Sequence, residues 1–399
     1  MLCAFFALMG GSLHFAEAEA PEESTGPERP PSMSAEQTAE PTPGAAEETP
    51  EPEPQVFTIN FIGDITPDAV PYYRGSSVAY QNVVTPDNLG YVFEKTVQFF
   101  EDDDFTMANF ECVLSNYDVA ADKNFTFRAP PEYVGILTAG SVEFVTLGNN
   151  HVEDYGEQGY ADTKATLEEA GIGYAGRDEY SIYETESGLK IGVYALSFGK
   201  TEQIKAGIAA LKEAGAEFII AALHWGDEGA YDVNALQLEQ GRAAIDAGAE
   251  FIIAALHWGD EGSYDVNALQ LEQGHAAIDA GADVVYGSHP HTLQPIEVYN
   301  DHYIFYSMGN WSFGGNTNPR DKDTVIAKLE VTRAADGTVS VTDLTLIPCA
   351  SSGVTDGNNY QPVPYEEGSE EYARTISKLD GSFTGANLTI PYEYGFNEY

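Results

Sequence analysis

The sequence predicts an α/β domain made of two stacked sheets with helices on their outer faces. Three observations carry this expectation. Apolar runs of strand length alternate with helical stretches and then give way to hairpins. Polar, chemistry-bearing residues recur where an apolar run ends, the edge on which α/β proteins usually build sites. One strand–loop–helix unit occurs twice in tandem.

The elements follow in chain order. Residues 56–62 form a strand, with Gly63 and Asp64 at its end. Residues 89–100 are expected to be helical, and 105–108 a short strand running into Asn109, Phe110 and Glu111. Residues 131–139 are helical, and 142–147 a strand ending at Gly148, Asn149, Asn150 and His151. An amphipathic helix spans 158–170 and is closed by Gly171. A hairpin follows over 181–196, turning at Ser187 and Gly188. Strands and helices alternate up to Gly287. The chain then turns to β at 296–299, 303–307, 324–331 and 339–346, with hairpin signals at Asn300-Asp301 and Ala335-Asp336-Gly337. Beyond about residue 350 it reads as a polar, acidic, Tyr-rich tail wrapping the surface.

Residues 216–248 and 249–281 are copies of one unit and differ only at Ala230/Ser263 and Arg242/His275. Two copies do not make a solenoid, which needs about three or more repeats. The extra unit is expected to add at a sheet edge or to be extruded as a surface insertion. His224 and His257 compete for one role. The order of elements favours His257, whose helix leads straight into the strand at 282–285 before the next motif, although His224 follows the upstream helix directly.

Eighteen basic residues face sixty-four acidic ones, for a formal net charge of −46. Such a surface repels phosphate backbones and anionic membranes, which argues against nucleic acid as a partner. It attracts divalent cations, although most of these carboxylates serve solubility. Of three cysteines, Cys112 and Cys349 fall in the folded part, where they either pair or stay as buried thiols. Residues 1–13 are apolar but too short to span a bilayer, and Ala16, Ala18 and Ala20 offer small-residue cleavage options. Residues 1–20 therefore read as the end of a secretory signal peptide. Residues 21–55, rich in Pro, Glu, Ser and Thr, read as an acidic spacer that cannot bury a core. The expected location is the cell surface or the exterior, with membrane anchoring if the amino terminus stays uncleaved.

Five of the eight histidines stand at the ends of apolar strands: His151, His224, His257, His289 and His291. A single such histidine is usually hydrogen-bonded filler. Several together with carboxylates form a metal-site signature. The ordered set is Asp64, then Asn109 and Glu111, then Asn150 and His151 with Asp154 close behind, then His224 or His257, then His289 and His291. Carboxylate, amide oxygen and imidazole suit Mn²⁺, Fe²⁺ or Zn²⁺. In extended backbone, the spacing of His289 and His291 about Pro290 would place both rings on one side.

These motifs resemble the calcineurin-like metallophosphoesterases and, more closely, the bacterial capsule-synthesis CapA family. The resemblance rests on FIGD at 61–64, ANFE at 108–111, NNHVEDYGEQGYADT at 149–163, LHWGDE at 256–261, GADVVYGSHPHTLQPIEVY at 281–299 and YSMGNWSF at 306–313. It covers roughly residues 56–350. It implies a metallo-dependent phosphatase-like, four-layer α/β/β/α sandwich holding one or two divalent ions. Asp64 and His291 would hold the first ion, Glu111 would bridge, and Asn150, His257 and His289 would hold the second. His151 would face the leaving group, oriented by Asp154. Arg128 would receive an anionic substrate group and Asn310 would line the same cleft, with structural hydrogen bonding as the alternative for both. Three departures stand out: Thr66 where phosphoesterases carry a histidine, Glu111 in place of aspartate, and Ser288 where the capsule family often has a histidine.

The function implied is that of an exported hydrolase-like protein of poly-γ-glutamate capsule biosynthesis. One alternative is a non-catalytic component that binds the anionic polymer or works beside synthesis and export subunits. Another is an exported metallophosphatase or nucleotidase.

Overall fold

A computed structural model of the chain describes residues 53–71, 73–123, 125–197, 200–225, 242–244, 246–247 and 251–388. The expected signal segment and nearly all of the acidic spacer lie outside these residues.

In chain order the strands are β1 (Gln55–Phe61), β2 (Asp64–Thr66), β3 (Phe105–Asn109), β4 (Val113–Leu114), β5 (Arg128–Ala129), β6 (Phe144–Thr146), β7 (Gly173–Ala175), β8 (Glu179–Glu184), β9 (Lys190–Ser197), β10 (Phe218–Trp225), β11 (Phe251–His257), β12 (Val284–Ser288), β13 (Ile296–Tyr299), β14 (His302–Phe305), β15 (Asn310–Phe313), β16 (Asp323–Arg333), β17 (Val339–Ala350) and β18 (Val363–Pro364). The longer helices are α1 (Gly156–Ala170), α2 (Thr201–Glu213), α3 (Ala268–Asp279) and α4 (Glu370–Leu379).

One sheet runs β18-β17-β16-β1-β3-β6-β7 and the other β13-β14-β12-β11-β10-β9-β8. Between them lies a core drawn from both: Phe57, Ile59 and Phe105 from the first sheet meet Val193, Ile220, Ile253 and Val284 from the second. Tyr160 and Leu167 of α1 pack on the outer face of the first sheet. Ile204, Ile208 and Leu211 of α2, with Ala277 and Ile278 of α3, cover the outer face of the second. The order is therefore α/β/β/α, as the sequence predicts. Strands β1, β3, β6 and β7 pair in parallel in one sheet, and β9–β12 with β14 in the other, so within each sheet their carboxyl ends share an edge.

Three expectations need correction. Residues 89–100 form two short 3₁₀ turns, Leu89–Val92 and Val97–Phe99. Val92, Phe93 and Phe100 all sink into the core there, and aromatic and β-branched residues favour the helix weakly enough for packing to decide. The region beyond residue 350 is more than a wrapping tail: it supplies β18 and α4, and Lys378 of α4 is only 2% exposed. Ser369 caps that helix by accepting from the Tyr372 N–H.

The strands of the duplicated unit are not at a sheet edge, and the loop and much of the helix of the first copy lie outside the described residues. β10 and β11 are adjacent parallel strands in the middle of their sheet. Ile220 pairs with Phe251, while its duplicate is Ile253, so equivalent positions are offset by two residues. An even offset keeps every side chain on its own face of the sheet. Ile220 and Ile253 accordingly share the inner core, and Ile219 and Ile252 the outer one. Cys112 and Cys349 are both free and buried.

Candidate metal centre

The site begins where β1 ends. Gly63 turns the chain against the 309–311 segment so closely that a Cβ on it would stand 2.3 Å from the Gly309 carbonyl oxygen. This lets β2 pair with β15, with Asn310 opposite Asp64. Asp64 and Glu111 are 3% and 4% exposed. Asn109, at the end of β3, donates from its single amide nitrogen to both: 3.1 Å to Asp64 Oδ1 and 2.9 Å to Glu111 Oε1. Asn149 fixes that amide, its Nδ2 donating to Asn109 Oδ1 at 3.1 Å and to the Phe110 carbonyl at 3.0 Å. Asn149 Oδ1 in turn accepts the His151 N–H at 3.0 Å.

His151 is nearly buried. Its Nδ1 bonds Asp154 Oδ2 at 2.8 Å and its ring stands edge-on to Phe127, 4.8 Å between centroids. Asp154 has no exposed surface and also accepts the Phe127 N–H and the Lys123 ammonium, each at 2.7 Å. Asp154 thus ties the His151 ring to the Phe127 backbone and to Lys123. With Nδ1–H donated to Asp154, Nε2 is the nitrogen left to face a substrate.

The His289–His291 turn differs from the sequence expectation. Both histidines lie in the left-handed region, with φ of 93° and 55°, so the backbone is not extended. Their rings still approach to 6.3 Å between centroids. Gly287 is required just before this turn, because a Cβ there would lie 2.1 Å from the Tyr306 carbonyl oxygen. His291 Nδ1 bonds Asn310 Oδ1 at 2.9 Å, and its ring lies against Phe313. Burial and the neighbouring His291 lower the pKa of His289 to about 4, so it is a neutral imidazole at physiological pH.

Burial raises the pKa of Asp64, and the Asn109 hydrogen bond and the charges of His291 and His151 offset part of that rise. Asp64 is thus within electrostatic reach of both imidazoles. The Tyr286 phenol, bonded to the Ile62 carbonyl at 2.8 Å, is pushed far up by burial and by the charges of Asp64 and Glu111.

His257 is in register with Ser288, next to His289. His224 lies one strand further away and aligns with Ala255. The side chains of both lie outside the described residues. The backbone carbonyl of Asn150 accepts Lys123 Nζ at 2.7 Å. Arg128 donates to the Tyr117 carbonyl at 2.6 Å and lies over the Tyr155 ring, 5.0 Å from its centroid. These contacts are the structural hydrogen bonding that sequence leaves open.

The donor types fit a divalent ion. Two buried carboxylates, Asp64 and Glu111, meet at one amide, and the imidazole of His291 is held beside them by Asn310. Among the described residues, no group of three or more His, Cys, Asp or Glu side chains stands close enough to hold an ion. The hydroxyl of Thr66, where the resemblance expects a histidine, is buried and makes no hydrogen bond among them.

Sequence reasoning missed four residues here. Asn149 sat beside the chosen Asn150 in the same motif. Lys123 and Tyr286 carried no pattern of their own. Arg74 pairs with the buried Asp68, which also accepts the Arg128 N–H at 2.8 Å and so positions that residue.

Fold and edge together define an α/β/β/α sandwich protein whose polar site is assembled from the carboxyl ends of strands in both sheets. The family described as "Bacterial capsule synthesis protein PGA_cap" matches residues 58–255 and 249–314, and the chain belongs to it. The two matched segments overlap at the duplication, so each holds one complete copy of the repeated unit. The "PGA biosynthesis protein CapA" of Bacillus subtilis (strain 168) is 28% identical over 319 residues, 72% of this chain and 71% of that protein. The "Capsule biosynthesis protein CapA" of Bacillus anthracis is 27% identical over 309 residues, 68% of this chain and 64% of that protein. The solved NAD nucleotidase NadN of Haemophilus influenzae aligns with 82% of this chain and 56% of its own, at 12% identity and a TM-score of 0.35. Its family gives this chain a capsule-associated function.

Proposed function

We propose that this chain is an exported protein of poly-γ-glutamate capsule biosynthesis, with a divalent-metal, hydrolase-like site at the strand edge. The observation that carries the reading is the pairing of Asp64 and Glu111 on the one amide of Asn109, with His291 held by Asn310 directly across from Asp64.

Asp64 and His291 would hold one ion, Asn150, His257 and His289 a second, and Glu111 would be the carboxylate shared between them. An ion held there, whether Mn²⁺, Fe²⁺ or Zn²⁺, would supply Lewis acidity to activate water and to stabilise a developing oxyanion. The chain's own residues do the rest. His151, held by Asp154, presents Nε2 to hand a proton to the leaving group. Arg128 and Asn310 line the approach for a carboxylate-rich substrate. The apolar start followed by small residues supports export, and the acidic stretch at 21–55 would hold the domain off the cell surface.

The test is turnover of p-nitrophenyl phosphate esters and of γ-glutamyl polymer with Mn²⁺. The reading expects activity that is lost in His289→Ala. Phosphate release from nucleotides alone would favour a nucleotidase.

One observation favours a second reading, a polymer-binding or export component without turnover. Thr66 leaves the Asp64 side one imidazole short, with His291 alone, and among the described residues no three-donor group stands close enough to hold an ion. Polymer binding that needs no metal, with no turnover, would support it.

A further inference from the structure

The proposed chemistry leaves unused a residue to which much of the molecule is tied. Tyr264 lies in the loop that leaves β11. Burial and the nearby Asp321 carboxylate push its phenol pKa up. Its ring lies 4.7 Å from Lys378 Nζ and 4.8 Å, edge-on, from the Phe383 ring. Its backbone N–H donates to Asn387 Oδ1 at 2.9 Å. Lys378 is itself fixed, at 2.7 Å from both Asp321 and Asp323. Asp323 also takes Arg374 in a two-pronged bond at 2.6 and 2.8 Å.

The same loop reaches the histidine turn. The Gly262 carbonyl accepts the Leu388 N–H at 2.8 Å, and the Gly262 N–H donates to the Pro290 carbonyl at 2.8 Å. The Ser263 carbonyl accepts the Thr292 hydroxyl at 2.9 Å and the Gln294 amide at 3.1 Å. A chain of contacts thus runs from α4 through residues 262–264 to the residue between His289 and His291. Those two histidines hold left-handed backbone, which persists only where surrounding structure over-determines it.

We propose that Tyr264 is a positioning residue for the His289–Pro290–His291 turn, through which the carboxy-terminal segment 370–388 holds the site in shape. The clamp grips the second copy of the duplicated unit, the copy that pairs with β12. It concerns the order of the turn and stands apart from whether an ion binds there.

The test is hydrogen exchange on the full chain, reading the segments 259–265, 286–294 and, as a control, 156–170. Tyr264→Ala should speed exchange in the first two about tenfold and leave the third unchanged. Tyr264→Phe, which keeps the ring, should show a smaller increase and decides the matter if the alanine variant does not fold. Lys378→Met should loosen the same two segments, and Lys378→Arg should restore them. The same change in the first copy, Tyr231→Ala, should leave both at the wild-type rate. Unchanged exchange in Tyr264→Ala, an equal loss in Tyr231→Ala, or faster exchange throughout the chain would overturn the proposal. A parallel Mn²⁺ titration should show affinity about tenfold weaker in Tyr264→Ala than in wild type. Unaltered affinity beside faster exchange would also overturn the positioning role. A wild-type chain that binds no Mn²⁺ would count against the metal reading and leave exchange to decide the clamp.

Discussion

His291 and Asn310 meet ring to amide, Nδ1 to Oδ1 at 2.9 Å, and Asn310 pairs with Asp64 across two short parallel strands. The contact fixes which nitrogen of His291 carries the proton. Nδ1–H is donated to the amide oxygen, which leaves Nε2 as the ring nitrogen that could serve as a ligand.

That relationship predicts the behaviour of Asn310→Ala. The ring loses its orienting acceptor but the ligand stays. Mn²⁺ affinity should fall by about 10- to 100-fold with little change in unfolding temperature. Isothermal titration beside a thermal melt checks this, and unchanged affinity would remove Asn310 from the site.

Register separates the two copies of the duplicated motif. His257 ends the strand paired to β12, whereas His224 is the penultimate residue of the strand beyond it and aligns two residues short along the edge. His257→Ala should abolish binding of one ion equivalent, and His224→Ala should leave stoichiometry as in wild type. Metal analysis after equilibrium dialysis reads the difference. The reverse result would mean that the first copy builds the site.

Away from the site, a buried acidic pair sets a pH dependence. Burial raises Glu143 from its ordinary value of 4.5 to about 7, and raises Asp103 from 3.8 to about 6. Both carboxyls hold their protons longer in the folded chain than in the unfolded one. Their stabilisation is therefore complete at acid pH and is lost as pH rises through this window. Urea midpoints should fall between pH 5 and pH 8, and Glu143→Gln should remove part of that fall, roughly 2 kcal/mol after allowing for partial exposure. A variant with the same pH slope as wild type would refute the assignment.

Much of this fold was legible because period and punctuation agreed. The helix closed by Gly171 and the hairpins at Asn300-Asp301 and Gly337 all needed positive φ, and those residues supply it. The polar edge was legible because Gly-Asp, Asn-x-Glu, Asn-Asn-His and His-Pro-His each follow an apolar run. What was hidden depends on contacts distant in sequence. Asn109 is one polar residue among many until Asn149, forty residues on, orients its amide. Tyr286 looks like any strand residue until two carboxylates meet beside it. Helix α4 was obscured by its acidity, although Ser369 and the spacing of Tyr372, Ile376 and Leu379 mark it. The place of the duplicated unit turned on a two-residue offset that only pairing reveals.

The central claim is that Asp64, Glu111 and His291 surround a cation. Crystals grown with Mn²⁺ and measured at the manganese absorption edge address it most directly. An anomalous peak within coordinating distance of all three side chains is the expected result, and it should vanish in Asp64→Asn. A well-ordered edge with no peak there, or peaks only at surface carboxylates, would contradict the account.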